Sequence, residues 1–556
     1  MSSRDLGDLH KTFGVGSLSL CNCAMPSSAM RLPSAPLLRA TAQRAAPIVL
    51  AMPSSGGGAS EQQCTVALVK NIVGTGVLTL PCGISQLSTS GASSEDALAY
   101  AAAFAVFFCA VNAYGFILIG EACSATGEAS YVGAWRKTLG SRTSFLPALF
   151  SLLLCFTAGV SCASVIADTF TDLVAALLAT DYEELSRTVV LGGTAATVLL
   201  PLCLLPSLAP LGTASLVGVA GVFITGGTMI VRLLDGSYGS SGAFVDAAVW
   251  HPAFHTAADM AAPVAPDLGS VCVFASLLSN AFLAHYNAPA VYSELGPYVA
   301  PTDSPAADGA VNADSAPSIG RLRLAARAET VNQQFREFIE ATKLGLLEAA
   351  GRASRRPADE SSVVRIKAGS LEDGLVATQL SSFRRVVVWS YAISGVLFLV
   401  IAGAGFATFG DASQPLILNN YASADPLAAV ARLGVGLSVL VEFPLLERPF
   451  RLTTIQLLGI EAQPGTPAWV ASALLSCLLL CGVAALDIPL DFISALSGST
   501  GGALLIFVAP ALMGLRLLDT NSAAVERGGA WRAPLLWALI TLGLATGVIG
   551  TFDELT

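Results

Sequence analysis

Charge is scarce in this chain: only 12% of its 556 residues are Asp, Glu, Lys or Arg, where a soluble globular protein carries about a quarter. Ala97–Gly120, Gly212–Val231 and Ala473–Leu486 contain none at all. A helix packed at the surface of a soluble protein needs a charged outer face, and these stretches have none, which excludes a large soluble helical core. Histidine is equally sparse. The four residues, at 10, 251, 255 and 285, are scattered, and neither a His-rich metal cluster nor paired intramembrane carboxylates can be assembled. Metal-assisted or nucleophile–base catalysis is therefore not expected, nor is a bound cofactor; the chain reads as no enzyme. A basic face is also missing: the net charge is −10, which offers nothing for nucleic acid. Twelve cysteines are present, but no spacing matches a zinc site or a secreted disulfide framework. Ten of them, Cys64 to Cys481, fall in or beside apolar stretches and read as small packing residues. Cys21 and Cys23 lie in the N-terminal segment.

What the chain has instead is apolar length. Apolar residues make up 54% and mean hydropathy is +0.67. About 20 apolar residues cross the ~30 Å hydrocarbon layer as a helix, the form that satisfies every backbone N–H and C=O without water. Eleven such spans are predicted, near 64–87, 97–120, 145–168, 189–206, 212–234, 268–291, 385–409, 427–446, 468–486, 489–516 and 533–551. The fourth, short and holding Pro201, is the weakest. The expected organisation is an N-terminal segment 1–62, spans one to six within 63–295, a cytosolic insertion 296–384, and spans seven to eleven within 385–556. Within the first segment, Ser28–Gly58 bears arginines and no Asp or Glu, as organellar transit peptides do; a disordered cytosolic tail is the alternative. The insertion opens on Pro, Ala and Asp, and has helix-forming composition around Ser318–Ala350.

Orientation follows from Lys and Arg placement. With the N-terminus in the cytosol, the short inside loops hold Arg136, Lys137, Arg142, Arg448, Arg451, Arg516, Arg527 and Arg532. Outside lie only Arg187, Arg232 and Arg432, together with Asp168, Asp172, Asp235 and other acidic residues. The chain is expected to be an integral, multi-pass protein whose lipid partner is the bilayer, in a vacuolar, plasma or organellar membrane.

Two spans are interrupted by residues that spoil a helix: the first by Gly74-Thr75-Gly76 and Pro81, the sixth by His285-Tyr286-Asn287-Ala288-Pro289. They occupy matching places in two five-span halves, which points to a transporter's midplane site. Unwinding exposes N–H groups at a half-helix start, where an anion is favoured, while freed carbonyls suit a cation. An α-amino acid presents that pair of charges. Glu442 is a rare acidic residue inside a span, Lys70 a rare basic one, and His285 the only histidine within one. His285 reads either as a pH-sensitive group or as a structural hydrogen-bonder. Glu121 and Glu294 read as hydrated anchors at the cytosolic ends of spans, and Asp487 and Asp491 lie near the outer face.

These segments carry a resemblance. Leu68-Val-Lys-Asn-Ile-Val-Gly-Thr-Gly-Val-Leu-Thr-Leu-Pro81 resembles the first helix of the amino acid/auxin permease family, which includes sodium-coupled neutral and proton-coupled amino acid transporters. Ser279-Asn-Ala-Phe-Leu-Ala-His-Tyr-Asn-Ala-Pro-Ala-Val-Tyr-Ser-Glu-Leu295 is similar to its sixth. Ala404–Asp411 with Leu416–Tyr421 resembles the end of its seventh; Arg432-Leu433, Phe443-Pro444 and Arg451 the eighth; Ile488–Thr500 the tenth. The resemblance implies an all-α membrane protein with eleven helices, a 5+5 inverted repeat of the leucine-transporter type plus one extra helix, and secondary active transport by alternating access. It places the substrate carboxylate at Gly74, Thr75 and Gly76, and the amino group and side chain at Asn280, Ala281 and Phe282. Relatives often have an aromatic residue where Asn280 stands. Ion coupling falls to Lys70, Asn71, Glu442 and His285. In sodium-coupled relatives an Asn and a span-eight hydroxyl hold the ion; Lys70 and Leu440 take those places here, so H+ is the expected partner rather than Na+. A buried Lys is costly to charge, so it could cycle protons, or it could snorkel or pair with Glu442. The competing readings are a sodium symporter and a non-transporting sensor with the same fold.

Overall fold

The computed structural model describes residues 60–178, 186–206, 209–256, 265–295, 370–458, 460, 462–520 and 531–555. All lie within the compact unit 44–556, whereas the unit Met1–Gln43 falls outside them. Residues 1–59 of the expected transit-like or disordered N-terminal segment, Ser318–Ala350 and Arg527 are likewise outside the described residues.

The described residues are helical, with one isolated parallel bridge, Ala253–Gly410. Among the described residues ten helices are long and apolar enough to cross a membrane, and a bent pair makes eleven. The first span is α1 (Glu61–Ile72), a 3-10 turn (Thr75–Thr79) and α2 (Leu80–Thr89), bent by 49° at the break. The second is α3 (Ser94–Thr126); the amphipathic α4 (Tyr131–Leu139) follows, then α5 (Phe145–Leu178). Span four joins α6 (Arg187–Thr194) to α7 (Leu200–Leu204) through a π-turn, and α8 (Ala209–Asp235) is the fifth. Span six is α9 (Leu268–Ala281) and α10 (Ala288–Glu294), joined by a 3-10 turn at His285–Asn287. The remaining spans are α11 (Ser370–Phe409), α12 (Pro426–Leu457), α13 (Pro467–Ala484), α14 (Leu490–Ser497) running through a π segment into α15 (Ala509–Thr520), and α16 (Arg532–Leu555). Each expected span has its helix, so the chain is an integral multi-pass protein.

Helix ends follow local chemistry. Ser60 starts α1 with a reciprocal capping box, its Oγ accepting from Gln63 N at 3.2 Å while Gln63 Oε1 accepts from Ser60 N at 3.1 Å. Ser93 and Asp267 cap α3 and α9 in the same sense, and Gly127 (φ +67°) ends α3 in the left-handed conformation glycine tolerates. α12 packs between α8 and α5, while α11 packs on α1 and α3, and α9 on α2 and α16.

Several boundaries differ from expectation: α5 runs to Leu178 rather than 168 and α3 to Thr126 rather than 120, and two further differences bring particular contacts. α11 begins at Ser370, fifteen residues before the predicted start, and the part just ahead of 385 is held by neighbours: Gln379 Nε2 donates to Tyr292 O at 2.8 Å, and buried Phe383 meets the Tyr292 and Phe116 rings. α12 runs past 446 through Pro444 and Pro449, so Arg448 and Arg451, counted above as loop charges, are buried helical residues. Their guanidiniums cap carbonyls: Arg448 bonds Leu205 O, and Arg451 donates to Cys203 O (3.0 Å) and Trp469 O (3.2 Å). Glu121 also departs from a merely hydrated anchor, since it binds Arg384 at 2.6 Å and Arg532.

The three arginines at the expected outer side are each matched by carboxylates. Arg187 pairs with Asp168, Arg432 with Asp172 at 2.7 Å, and Arg232 with Asp425 at 2.6 Å and Asp235 at 2.8 Å. Burial works against the Asp425 carboxylate, but bonds from Arg232, Tyr238 and the amides of Leu427 and Ala428 outweigh it and hold its pKa below the usual value.

Candidate functional site

The last helical bond of the first span's N-terminal half runs from Val73 N to Val69 O at 2.8 Å. Gly74 is then extended (φ −122°, ψ −161°), and a new helix starts at Thr75. The amides of Gly74, Thr75 and Gly76 stand at that start, where first-turn N–H groups have no acceptor within the helix. Thr79 Oγ1 donates to Gly76 O at 2.9 Å, so the hydroxyl closes the turn from inside. In span six, α9 ends where Phe282 N bonds Leu278 O (3.0 Å) and Leu283 N bonds Asn280 O (3.2 Å).

The two breaks face each other. A Cβ built on Gly76 would lie 3.0 Å from Asn280 Nδ2 and 3.2 Å from Ala281 Cα. Glycine is needed here for close approach of two backbones, not for its φ. A cavity of about 380 Å³ opens beside this contact, within the range of small-molecule sites. Gly74, Thr75, Gly76, Asn280 and Ala281 line it, as do Lys70, Asn71 and Glu442. It extends along α10 and α12 to Glu294 and Thr453, at the end expected to face the cytosol.

The structure does not bring two predicted residues to the cavity. Phe282 is fully buried, its ring against Phe398 (4.7 Å between centroids) and Tyr391 (6.0 Å). It follows the last helical residue of α9, so its side chain turns into the core. His285 is also fully buried and bonds Asn112 O through Nε2 at 3.0 Å, beside the Phe116 and Tyr391 rings. Of the two readings of this histidine, its position fits the structural hydrogen-bonder.

Other lining groups were not legible beforehand. Tyr286 donates to Asn71 Oδ1 at 3.4 Å, joining α1 to the turn that interrupts span six. Ser151 and Ser161 of α5, Ser438 of α12 and Ser497 of α14 add hydroxyls. Span eight therefore does present a hydroxyl, at Ser438 rather than at 440, and Gly218 of α8 leaves room for it. Tyr286 lay inside the interrupted segment and could have been found there; single serines in membrane helices give no signal.

Asp491, at the start of α14, accepts from Gln86 Nε2 at 3.0 Å and contacts Cys82 Sγ at 3.5 Å, away from the cavity. Among the described residues no group of His, Cys, Asp and Glu could hold a metal ion.

The profile of a family described as "Transmembrane amino acid transporter protein" matches residues 57–295 and 374–553, which is most of the chain. Similar curated proteins include "Sodium-coupled neutral amino acid transporter 7" of Bos taurus, 27% identical over 191 residues, 31% of this chain and 38% of that one. "Sodium-coupled neutral amino acid symporter 2" of Danio rerio is 25% identical over 27% of this chain and 30% of its own length. The matched region thus spans only about a third of these relatives. Among solved structures, the inward-facing conformation of Mhp1 aligns over 90% of this chain and 93% of its own, with a TM-score of 0.47 and 10% identity. A manganese transporter of Eremococcus coleocola aligns over 90% and 89%, with a TM-score of 0.41 and 11% identity.

Proposed function

From a chain that belongs to the transmembrane amino acid transporter protein family, we propose a proton-coupled secondary transporter that moves amino acids by alternating access. One observation carries the reading: the breaks of spans one and six meet at a single cavity. The substrate carboxylate sits at the amides of Gly74, Thr75 and Gly76, at the positive pole of the outer half-helix. The ammonium and side chain face Asn280 and Ala281. The cavity runs from the break to Glu294 and Thr453, toward the side expected to face the cytosol, which suits exchange of substrate with that side.

Protons are favoured because Lys70 lines the cavity from the inner half of span one, within electrostatic reach of Glu442. A fixed ammonium repels sodium from that wall, and a Lys–Glu pair can exchange a proton instead. Sodium coupling remains the second reading, supported by the hydroxyls of Ser438 and Ser161 and by the names of the relatives.

Uptake of labelled amino acids into proteoliposomes separates these. Uptake should rise when the outside is acidified relative to the lumen, with or without sodium. Uptake that follows a sodium gradient and ignores pH establishes the second reading, and binding without flux establishes a sensor. Lys70→Ala is expected to keep exchange of internal for external substrate while losing accumulation driven by a pH gradient. Unchanged accumulation would move the proton site elsewhere.

A further inference from the structure

Glu442 is closer to the carboxylate subsite than a simple partner of Lys70 needs to be. A Cβ built on Gly74 would lie 3.2 Å from its Oε1, so the Glu442 side chain reaches across from α12 to the extended residue at the break. Both residues line the same cavity, as does Lys70. Tyr286 of the span-six turn and Cys162 of α5 lie in its electrostatic reach, and Glu294, Tyr131 and Cys155 line the same cavity. Lys70 is the one cation among these groups.

We propose that the Glu442 carboxylate is a tethered competitor of the substrate carboxylate, holding the Gly74–Gly76 subsite until a proton removes its charge. This rests on the transport reading above and supplies its coupling step. In the empty cavity the ionised Glu442 lies beside the half-helix start, where negative charge is favoured. Two carboxylates cannot share that place, because like charges a few ångströms apart disfavour each other strongly. Glu442 takes one proton from the aqueous side, its carboxylate becomes a neutral acid, and the substrate carboxylate enters. The charge balance of the subsite is then the same before and after binding, with Lys70 facing one carboxylate in either case. On release the substrate leaves with its carboxylate, Glu442 gives up the proton on the same side, and it recaps the break. One proton therefore accompanies each amino acid without any direct contact between the two.

The proposal makes Glu442 an inhibitor of binding at high pH, the opposite of a residue that holds the substrate ammonium. The test uses full-length purified protein, with a panel of standard L-amino acids screened for binding. The strongest binder is then titrated against pH alongside its carboxyl amide, which has no anion to place. Wild type should lose affinity for the acid by about tenfold per pH unit above the proton's titration, since one proton is linked to one substrate. The amide should bind weakly with no such slope. Glu442→Gln should bind the acid at high pH as tightly as wild type does at low pH, within about twofold, and should exchange substrate without accumulating it. A Gln variant that binds more weakly at every pH overturns the proposal and assigns Glu442 to the ammonium. Equal pH slopes for acid and amide in the wild type also overturn it, whether or not the variant folds. If no amino acid binds the wild type at any pH, the transport reading itself fails.

Discussion

Replacing Gly76 by valine is expected to lower amino acid uptake by about 100-fold or more, the scale seen when reacting or binding groups are displaced by about an ångström. The geometry leaves no room for compensation. The first added carbon would already stand 3.0 Å from Asn280 Nδ2 and 3.2 Å from Ala281 Cα, and the latter is backbone that cannot rotate away. Two further methyls would drive the breaks of spans one and six apart and cover the amides at 74–76. Gly76→Ala should already be impaired, because only the Asn280 side chain can yield to it. Membrane abundance and the size-exclusion profile should stay near wild type, since the steric conflict lies at the cavity wall. Uptake at normal affinity by the valine variant would remove the substrate from the span-one break.

Arg451→Ala is expected to be among the most damaging changes to stability. Arg451 is 1% exposed and Glu447 0%, and Arg451 Nε lies 2.9 Å from Glu447 Oε1. The guanidinium also stacks over the Trp469 ring at 4.2 Å and ties the ends of spans four and nine through Cys203 O and Trp469 O. Removing one partner of a buried pair leaves an uncompensated charge, at a cost of about 3–5 kcal/mol. Ser476, bonded to Glu447, and the neighbouring Arg448 offset part of this, so the variant should fold at a clearly lower melting temperature. Glu447→Leu combined with Arg451→Met should recover much of the loss, because no buried charge is left unpaired. A double variant as unstable as Arg451→Ala would show instead that the carbonyl caps, not the charge pair, hold the spans together.

The membrane architecture was written in composition. Charge-free apolar length leaves a chain no choice but to span as helices, and each of the eleven predicted spans has its helix. The interruptions were legible too, because Gly-Thr-Gly and Asn-Ala-Pro disrupt helices through their own backbone chemistry. Boundaries were harder wherever a tertiary partner extended a helix. Ahead of its predicted start α11 sets Phe383 against Tyr292 and Phe116, and α12 runs through two prolines to where buried carbonyls receive Arg448 and Arg451.

Within the site, spacing along the sequence identified the segments but not which side chains face inward. Asn280, Ala281 and Phe282 are consecutive, yet the first two line the cavity and the third is sealed in the core beside Tyr391. His285 and Tyr286 divide likewise: the histidine is held by Asn112 O, while the tyrosine reaches Asn71. Where a helix unwinds, the regular angle per residue is lost, and packing decides each side chain separately. The sequence by itself thus determined a multi-span helical protein broken at its first and sixth spans, since burial of backbone in lipid and local helix breaking need no distant contact. Only the tertiary structure brought Glu442, over 360 residues away in the chain, beside Gly74 at the break. No local pattern encodes that approach; it exists because α12, packed on α5 and α8, lines the same cavity as the unwound first span.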